Sequence, residues 1–236
     1  MSVEIQVVDD PAQACADALS AAASTGENIV LTGGSTPKRA YELAAAQKPQ
    51  AWQGAKLWFT DERCVEPDDD LANFKMVKQA LLDPLEHADI QVDFCRRILG
   101  ERGYEQGAIE FERELEHVGG GPGAIRFELV LLGVGSDGHI CSMFPGQESL
   151  DERSRLAVGV EHAGLEPFVP RVTLTFPALS RAKRVIVLAT GSSKADPIAA
   201  AFAEDAPHTH EVPASLLVEH VEEIVVLLDE DAAARL

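Results

Sequence analysis

The sequence predicts an α/β fold, a largely parallel sheet with helices packed on both faces. Three observations carry that prediction. Short apolar runs alternate with helical segments along all 236 residues. Several of the runs are uninterrupted, such as VIVLA over 185–189 and IVVLL over 224–228, as expected of strands covered on both sides. Glycine-rich turns follow two of the most apolar runs, after Leu31 and after Leu132, where open α/β sheets bind their ligands.

The elements follow in order. Residues 4–8 form a first strand and 11–24 an Ala-rich amphipathic helix. Residues 28–31 are a second strand, ending in Gly33-Gly34, and 36–46 a second helix. A strand is expected over 56–60, a helix over 73–82 and a short strand over 90–94. A longer helix over 103–118 is closed by Gly119-Gly120-Gly121-Pro122-Gly123. That run reads as a helix stop and turn rather than a linker, because a strong strand over 127–134 follows at once. Strands over 171–176 and 184–190, a helix over 194–202 and a last strand over 223–229 complete the alternation. Residues 204–212 are polar and read as a surface loop. There is no internal repeat. One α/β domain over 1–236 is expected, with a minor insertion near 145–170, where the pattern is weakest.

Composition narrows the function. With 20 Lys+Arg against 39 Asp+Glu the formal charge is −19. Nucleic acid, which binds basic stripes, is excluded, as is docking on anionic lipid. The four cysteines, at 15, 64, 95 and 141, show no CxxC pair, and a chain this long buries a core without disulfides. The N-terminal MSVEIQVVDD lacks a basic n-region, and no apolar run approaches the ~20 residues that span a bilayer. A cytoplasmic protein, monomeric or a small homo-oligomer, is expected.

Chemistry is sought after each strand. TGGSTPKRAYEL follows the strand at 28–31. Gly33 and Gly34 permit a tight turn and close approach of a ligand, Ser35 or Thr36 can cap the next helix, and Pro37 fits its first turn. The free N–H groups of that helix start suit a phosphate, although a well-capped helix alone also accounts for the residues. TDERCVEPDDD follows the next strand. Asp61, Glu62 and Arg63 stand at its end, with Arg63 either an anion clamp or a counter-charge to Asp68–Asp70. GVGSDGHICSMFPG follows the strand at 127–134. Gly133, Gly135 and Gly138 match the dinucleotide fingerprint by letter, but Pro145-Gly146 leave no room for the helix that motif requires. The segment reads instead as a turn presenting Asp137 and His139, two residues apart and so on one face of an extended chain. Histidine is the natural general base near neutral pH, with a carboxylate to orient it. Lys194 follows a Gly-Ser-Ser turn at a second helix start, and Arg171 opens a strand. No GxSxG elbow occurs. His208 and His210 lie in the polar loop without a convincing ligand cluster, so no metal site is expected.

These blocks, LTGGSTPKRAYELA, WFTDERCV, ANFKMVKQALL, ELVLLGVGSDGHICSMFPG, PRVTLTFPAL, GSSKADPI and VPASLL, together resemble the family of 6-phosphogluconolactonases and glucosamine-6-phosphate isomerases/deaminases. They span almost the whole chain in family order. The deaminase branch resembles this chain in GGSTP and DGH but carries a glutamate five positions after the histidine, where Phe144 stands here, and an aromatic residue where Arg63 stands. Both departures favour the lactonase branch. Ala72 stands where serine commonly precedes asparagine, and Cys141 and Met143 where alanine and leucine are common. The resemblance implies hydrolysis of 6-phospho-D-glucono-1,5-lactone, a small phosphorylated sugar lactone, without metal or organic cofactor. It also implies a modified Rossmann-like fold related to the ribose-5-phosphate isomerase/CoA-transferase group.

On that reading His139 deprotonates the attacking water, Asp137 or Asp61 assists it, and Arg63 stabilises the developing oxyanion. The phosphate is expected between the Gly33-Gly34-Ser35-Thr36 helix start and Lys194, with Arg171 as a second cation. Such a local positive pocket resolves the conflict between a negative body and an anionic substrate.

Overall fold

The computed structural model describes residues 2–236. In chain order the elements are β1 (Ser2–Val7), α1 (Pro11–Ala23), β2 (Asn28–Leu31), α2 (Ser35–Gln47), β3 (Lys56–Phe59), β4 (Asp61–Arg63) and α3 (Asn73–Val77). A π-helical turn, Lys78–Leu82, joins α3 to α4 (Asp83–His87). There follow β5 (Phe94–Cys95), α5 (Tyr104–Gly119), β6 (Leu129–Leu132), β7 (Ala157–Val160), β8 (Arg171–Leu174), α6 (Phe176–Leu179) and β9 (Val185–Ala189). The chain ends through α7 (Ala195–Phe202), α8 (Leu217–His220), β10 (Glu223–Leu228) and α9 (Glu230–Ala233).

Seven strands form one sheet in the order β1-β10-β9-β6-β2-β3-β5, and every pair in it is parallel. The uninterrupted apolar runs lie where their composition puts them. β2, β6 and β9 are buried along their whole length, and one hydrophobic core joins them to Leu19, Tyr41, Trp52, Trp58 and Phe127. Polar groups in this core are paired, as burial demands: the Trp58 Nε1–H donates to Asn28 Oδ1 at 2.9 Å, and Asn28 Nδ2 donates to the Arg126 carbonyl at 3.0 Å. From β2 the chain steps outward to β3. From β6 it steps the other way, to β9 and β10. The strand order therefore reverses between β2 and β6, and a crevice opens beyond their carboxyl ends.

The structure corrects the sequence reading in four places. Residues 61–63 do not close the preceding strand. The chain bends at Thr60 and starts β4, which pairs antiparallel with β8, itself antiparallel to β7. Hence the strand at 171–174 belongs to a second, three-stranded sheet and not to the parallel one. The segment near 145–170 supplies β7 to that sheet. These strands escape a period-based reading because DER is short and polar and AVGV is only four residues long, so pairing rather than pattern makes them strands. The strand expected at 90–94 shrinks to Phe94–Cys95. The glycine run after α5 is a helix stop as expected: Gly120 is left-handed at φ +82°, and Gly121 N–H donates to Glu116 O at 2.9 Å.

Candidate active site

The crevice at the β2–β6 switch is a cleft of about 290 Å³, at the small end of ligand-pocket sizes. One wall comes from the turns after β2, β6 and β9. The other comes from the small sheet, through Asp61, Arg63 and Arg171. Gly33, Gly34, Ser35, Thr36, His139 and Lys194 also line it, and Asp137 stands behind His139.

The turn after β2 is held from below. The Tyr41 hydroxyl, on α2, donates to the Thr32 carbonyl at 2.8 Å and accepts from the Thr32 N–H at 3.0 Å. That clamp fixes the exit of β2. Gly34, at φ +111°, is the N-cap of α2, and no side chain caps the helix. The expected Ser35 or Thr36 cap is therefore not made: Ser35 is the first helical residue, and Thr36 Oγ1 instead meets Thr190 Oγ1 at 3.1 Å. The first N–H groups of α2 are left facing the cleft, the arrangement that receives anions.

The turn after β6 carries the histidine. No α-helix lies between β6 and β7, so the fingerprint match at Gly133, Gly135 and Gly138 is not a dinucleotide motif here. Asp137 and His139 do meet, but through a turn rather than along an extended chain: Gly138 N–H donates to Gly135 O at 3.0 Å, with Gly138 at φ +80°. His139 Nδ1 lies 2.6 Å from Asp137 Oδ1, and the His139 backbone N–H donates to the same oxygen at 3.2 Å. A carboxylate only accepts, so Nδ1 carries the proton and Nε2 presents its lone pair. Burial raises the Asp137 carboxyl, but the hydrogen bond and charge of His139 outweigh it and hold it below the ordinary carboxylate value. The His139 ring leans on Phe144, centroids 4.6 Å apart.

Asp61 is committed elsewhere. It is buried, accepting from Thr60 Oγ1 at 2.8 Å and from Ser142 Oγ at 2.7 Å. The Ser142 N–H is in turn fixed by Thr173 Oγ1 at 3.0 Å. Asp61 thus anchors the His139–Phe144 segment to the small sheet and does not bond His139.

Three cations line the cleft. Arg63 and Arg171 are direct cross-strand partners in β4 and β8, a like-charge opposition that costs stability. Neither has a carboxylate within ion-pair distance among the described residues. Arg171 is buried, its Nε and Nη2 donating to the Val169 and Pro167 carbonyls at 3.1 and 2.8 Å. Burial first, then the charge of Arg63, lowers its affinity for its proton. Arg63 does not neutralise Asp68–Asp70. Its Nη1 donates to the Leu71 carbonyl at 2.7 Å, and Lys75 takes Asp70 at 2.6 Å. Lys194 closes a short turn before α7, and its Nζ donates to the Val134 carbonyl at 2.7 Å. Burial lowers its pKa, and Asp137 opposes that.

Sequence reasoning named Glu62 only as part of a charged strand end and gave no role to Asn73. The buried Glu62 carboxylate accepts from the N–H groups of Arg63, Asn73 and Phe74 at 2.8, 2.7 and 2.7 Å. Burial pushes that carboxyl up to about 7 against the pull of these three donors. Glu62 therefore supplies the cap of α3 from outside the helix, which is why Ala72 can occupy the N-cap position. Asn73 Nδ2 donates to the Asp61 carbonyl at 2.9 Å, and a Cβ on Gly33 would stand 1.9 Å from Asn73 Oδ1. The density of charge in TDERCVEPDDD hid this cap, because an N-cap is ordinarily sought beside the helix in sequence. His208 and His210 reach only Glu219 and Asp151, at 3.6 and 3.8 Å. Among the described residues no three His, Cys, Asp or Glu side chains converge as metal ligands, and no helix is long and apolar enough to cross a membrane.

The comparisons with known proteins agree with the blocks that line this cleft. The family model "Glucosamine-6-phosphate isomerases/6-phosphogluconolactonase" matches residues 3–226. A 6-phosphogluconolactonase of Mycobacterium tuberculosis is 37% identical over 213 residues, 88% of this chain and 84% of that one. The solved 6-phosphogluconolactonase of Trypanosoma cruzi superposes with TM-score 0.82 at 28% identity, covering 100% of this chain and 97% of that one. A solved glucosamine-6-phosphate deaminase superposes equally well, TM-score 0.82, at 18% identity and with both chains covered in full, so the fold alone is common to both branches. With the match running through nearly the whole sequence and the whole fold, the chain belongs to the glucosamine-6-phosphate isomerase/6-phosphogluconolactonase family.

Proposed function

We propose that the protein is a 6-phosphogluconolactonase, hydrolysing 6-phospho-D-glucono-1,5-lactone to 6-phosphogluconate in the cytoplasm as part of the pentose phosphate pathway. The observation that carries the reading is the His139–Asp137 pair, 2.6 Å apart, set on the wall of a cleft that also holds Arg63, Arg171 and Lys194. An activated ester needs a placed water, a base and charge stabilisation at its carbonyl, and those groups are present in one site.

His139 Nε2 takes the proton of the attacking water, and the resulting imidazolium is stabilised by Asp137 through Nδ1. The carbonyl oxygen gains negative charge, which Arg63 opposes. As the tetrahedral intermediate collapses, the imidazolium returns its proton to the departing ring oxygen, and the ring opens to the acid. The phosphate is held by the α2 helix start at Gly34-Ser35-Thr36, by Lys194 and by Arg171. Gly33 keeps the backbone of that turn against Asn73. The reaction uses side chains and water only. Phe144 under His139 favours this branch over the deaminase, because position 144, where the deaminase branch carries a glutamate, holds an apolar ring against the imidazole here.

The test is the decay of freshly generated 6-phosphogluconolactone followed by NMR, against its spontaneous hydrolysis. Acceleration by the wild-type protein is expected, with kcat about 10²–10⁴ lower in His139→Asn and KM little changed. No acceleration above the spontaneous rate overturns the reading, and wild-type turnover by His139→Asn removes the histidine from it.

A further inference from the structure

The seven-stranded sheet ends differently on its two sides. The β5 edge is two residues long, whereas the β1 edge is six. Soluble proteins blunt sheet edges with short strands, prolines or charged side chains, lysine above all, and the one charge on β1, Glu4, lies on the face opposite Val3, Ile5 and Val7. β5 is short, but β1, Ser-Val-Glu-Ile-Gln-Val, contains no Pro, Gly, Lys or Arg. The hydrogen bonds to β10 decide which of its main-chain groups are free. Ser2 N–H donates to Glu222 O at 2.8 Å and Val8 N–H to Leu228 O at 2.9 Å. Even-numbered residues therefore turn their N–H and C=O groups inward, and Val3, Ile5 and Val7 turn theirs to the open edge. The side chains of these three share one face of the sheet and are 40%, 40% and 49% exposed. The other large apolar residues exposed among the described ones, Leu71, Ile109, Phe168 and Leu236, stand singly.

We propose that β1 is a self-association surface, and that its occupant is β1 of a second copy, running antiparallel about a two-fold axis through Ile5. This register sets Ile5 opposite Ile5 and Val3 opposite Val7. In each of these pairs the outward main-chain groups face one another, so each exchanges N–H···O bonds, and each also joins two apolar side chains. On the other face Glu4 lies opposite Gln6, an acceptor opposite an amide. Within one strand Gln6 Nε2 already donates to Glu4 Oε1 at 2.8 Å. Neighbouring registers are worse. A two-fold through Glu4 opposes two carboxylates, and one through Gln6 sets Val3 against Asp9. The matched register makes an isologous dimer with one sheet continuous across both copies. Strand directions reverse across the two-fold, so the two clefts open on opposite sides and neither borrows a residue from the other. Each copy carries a formal charge of −19, so association tightens as salt screens the repulsion.

The test is sedimentation equilibrium of the full chain, with any tag at its C-terminus, across protein and salt concentration. A reversible equilibrium between the 25.3 kDa chain and its dimer, shifted toward dimer by salt, is expected. Ile5→Lys places two ammonium groups face to face and should weaken association at least about tenfold while leaving turnover per chain unchanged. Amide hydrogen exchange supplies a second readout: the Val3 and Val7 amides slow in the dimer and return to fast exchange in the variant, while the Glu4 and Gln6 amides do not change. A wild-type chain that stays monomeric at its highest soluble concentration in high salt overturns the proposal. So does a dimer indifferent to Ile5→Lys, or one in which the Val3 and Val7 amides stay fast.

Discussion

Gly135→Ala tests the active-site reading without touching a reacting group. Gly135 is not among the glycines with positive φ, so alanine brings no left-handed strain there. The added Cβ, however, would stand 2.0 Å from His139 Nδ1, 2.2 Å from Cε1 and 2.6 Å from Asp137 Oδ1. Real Cβ contacts rarely fall under 3.4 Å, so the imidazole must retreat by more than about 1 Å, a misplacement of the size that costs about 10²-fold in rate. Phe144 packs against the ring and limits where it can go. The expected result is a kcat at least about 10²-fold lower, or about 3 kcal/mol in activation free energy, with KM and thermal midpoint near wild type. The NMR decay assay gives the rate, imidazole nitrogen shifts report whether the Nδ1–Asp137 bond survives, and calorimetry gives the midpoint. Turnover within a few-fold of wild type, with the ring still bonded to Asp137, refutes the claim that this pair's position sets the rate.

Three further outcomes follow from the same geometry. Arg63→Met removes one of two opposed guanidiniums, so the ligand-free protein should be as stable as wild type or more so, by up to about 1 kcal/mol, while kcat in the lactone assay falls with the loss of oxyanion stabilisation. A destabilised variant would show that the two arginines do not oppose one another. Lys194→Ala should raise KM for the phosphorylated lactone by about 10–100-fold, the worth of a charge-assisted hydrogen bond, and an unchanged KM in steady-state assays takes Lys194 out of the phosphate site. Asp137 has a folded-state pKa below its ordinary value of 3.8, so its stabilisation is present above that value and is lost as pH falls through the lowered one. The gap in thermal midpoint between wild type and Asp137→Asn should therefore be widest near neutral pH and close in strong acid. A gap that widens on acidification contradicts the sign.

The parallel sheet was legible because β2, β6 and β9 are buried on both faces and so must be apolar throughout. The cleft was legible for a related reason: its residues follow directly on those strands. What the sequence hid depends on pairing. Nothing in DER marks a strand, and the opposition of Arg63 to Arg171 exists only in the β4–β8 register. Asp61 and Asp137 looked interchangeable as partners of His139, and only the turn at Gly138 separates them. The fingerprint glycines had a real purpose of another kind. Gly135 is required by the volume of the His139–Asp137 pair, not by a pyrophosphate. The helix cap from Glu62, eleven residues before Asn73 in the chain, could not be found by looking beside the helix.

The cleft has one wall on each sheet, and that division bears on how the protein opens. The small sheet adjoins the parallel one through Thr60 and the Asp61–Ser142 bond, and it offers the cleft two unneutralised guanidiniums. A dianionic substrate held across the cleft as proposed would act as a removable cross-link between the sheets. Separating them then costs an extra RT ln(1 + [L]/Kd), about 2.7 kcal/mol at a hundredfold excess over Kd. Proteolytic cutting around residues 161–169, between β7 and β8, thereby becomes a gauge of occupancy: slow when the cleft is filled and fast as turnover empties it.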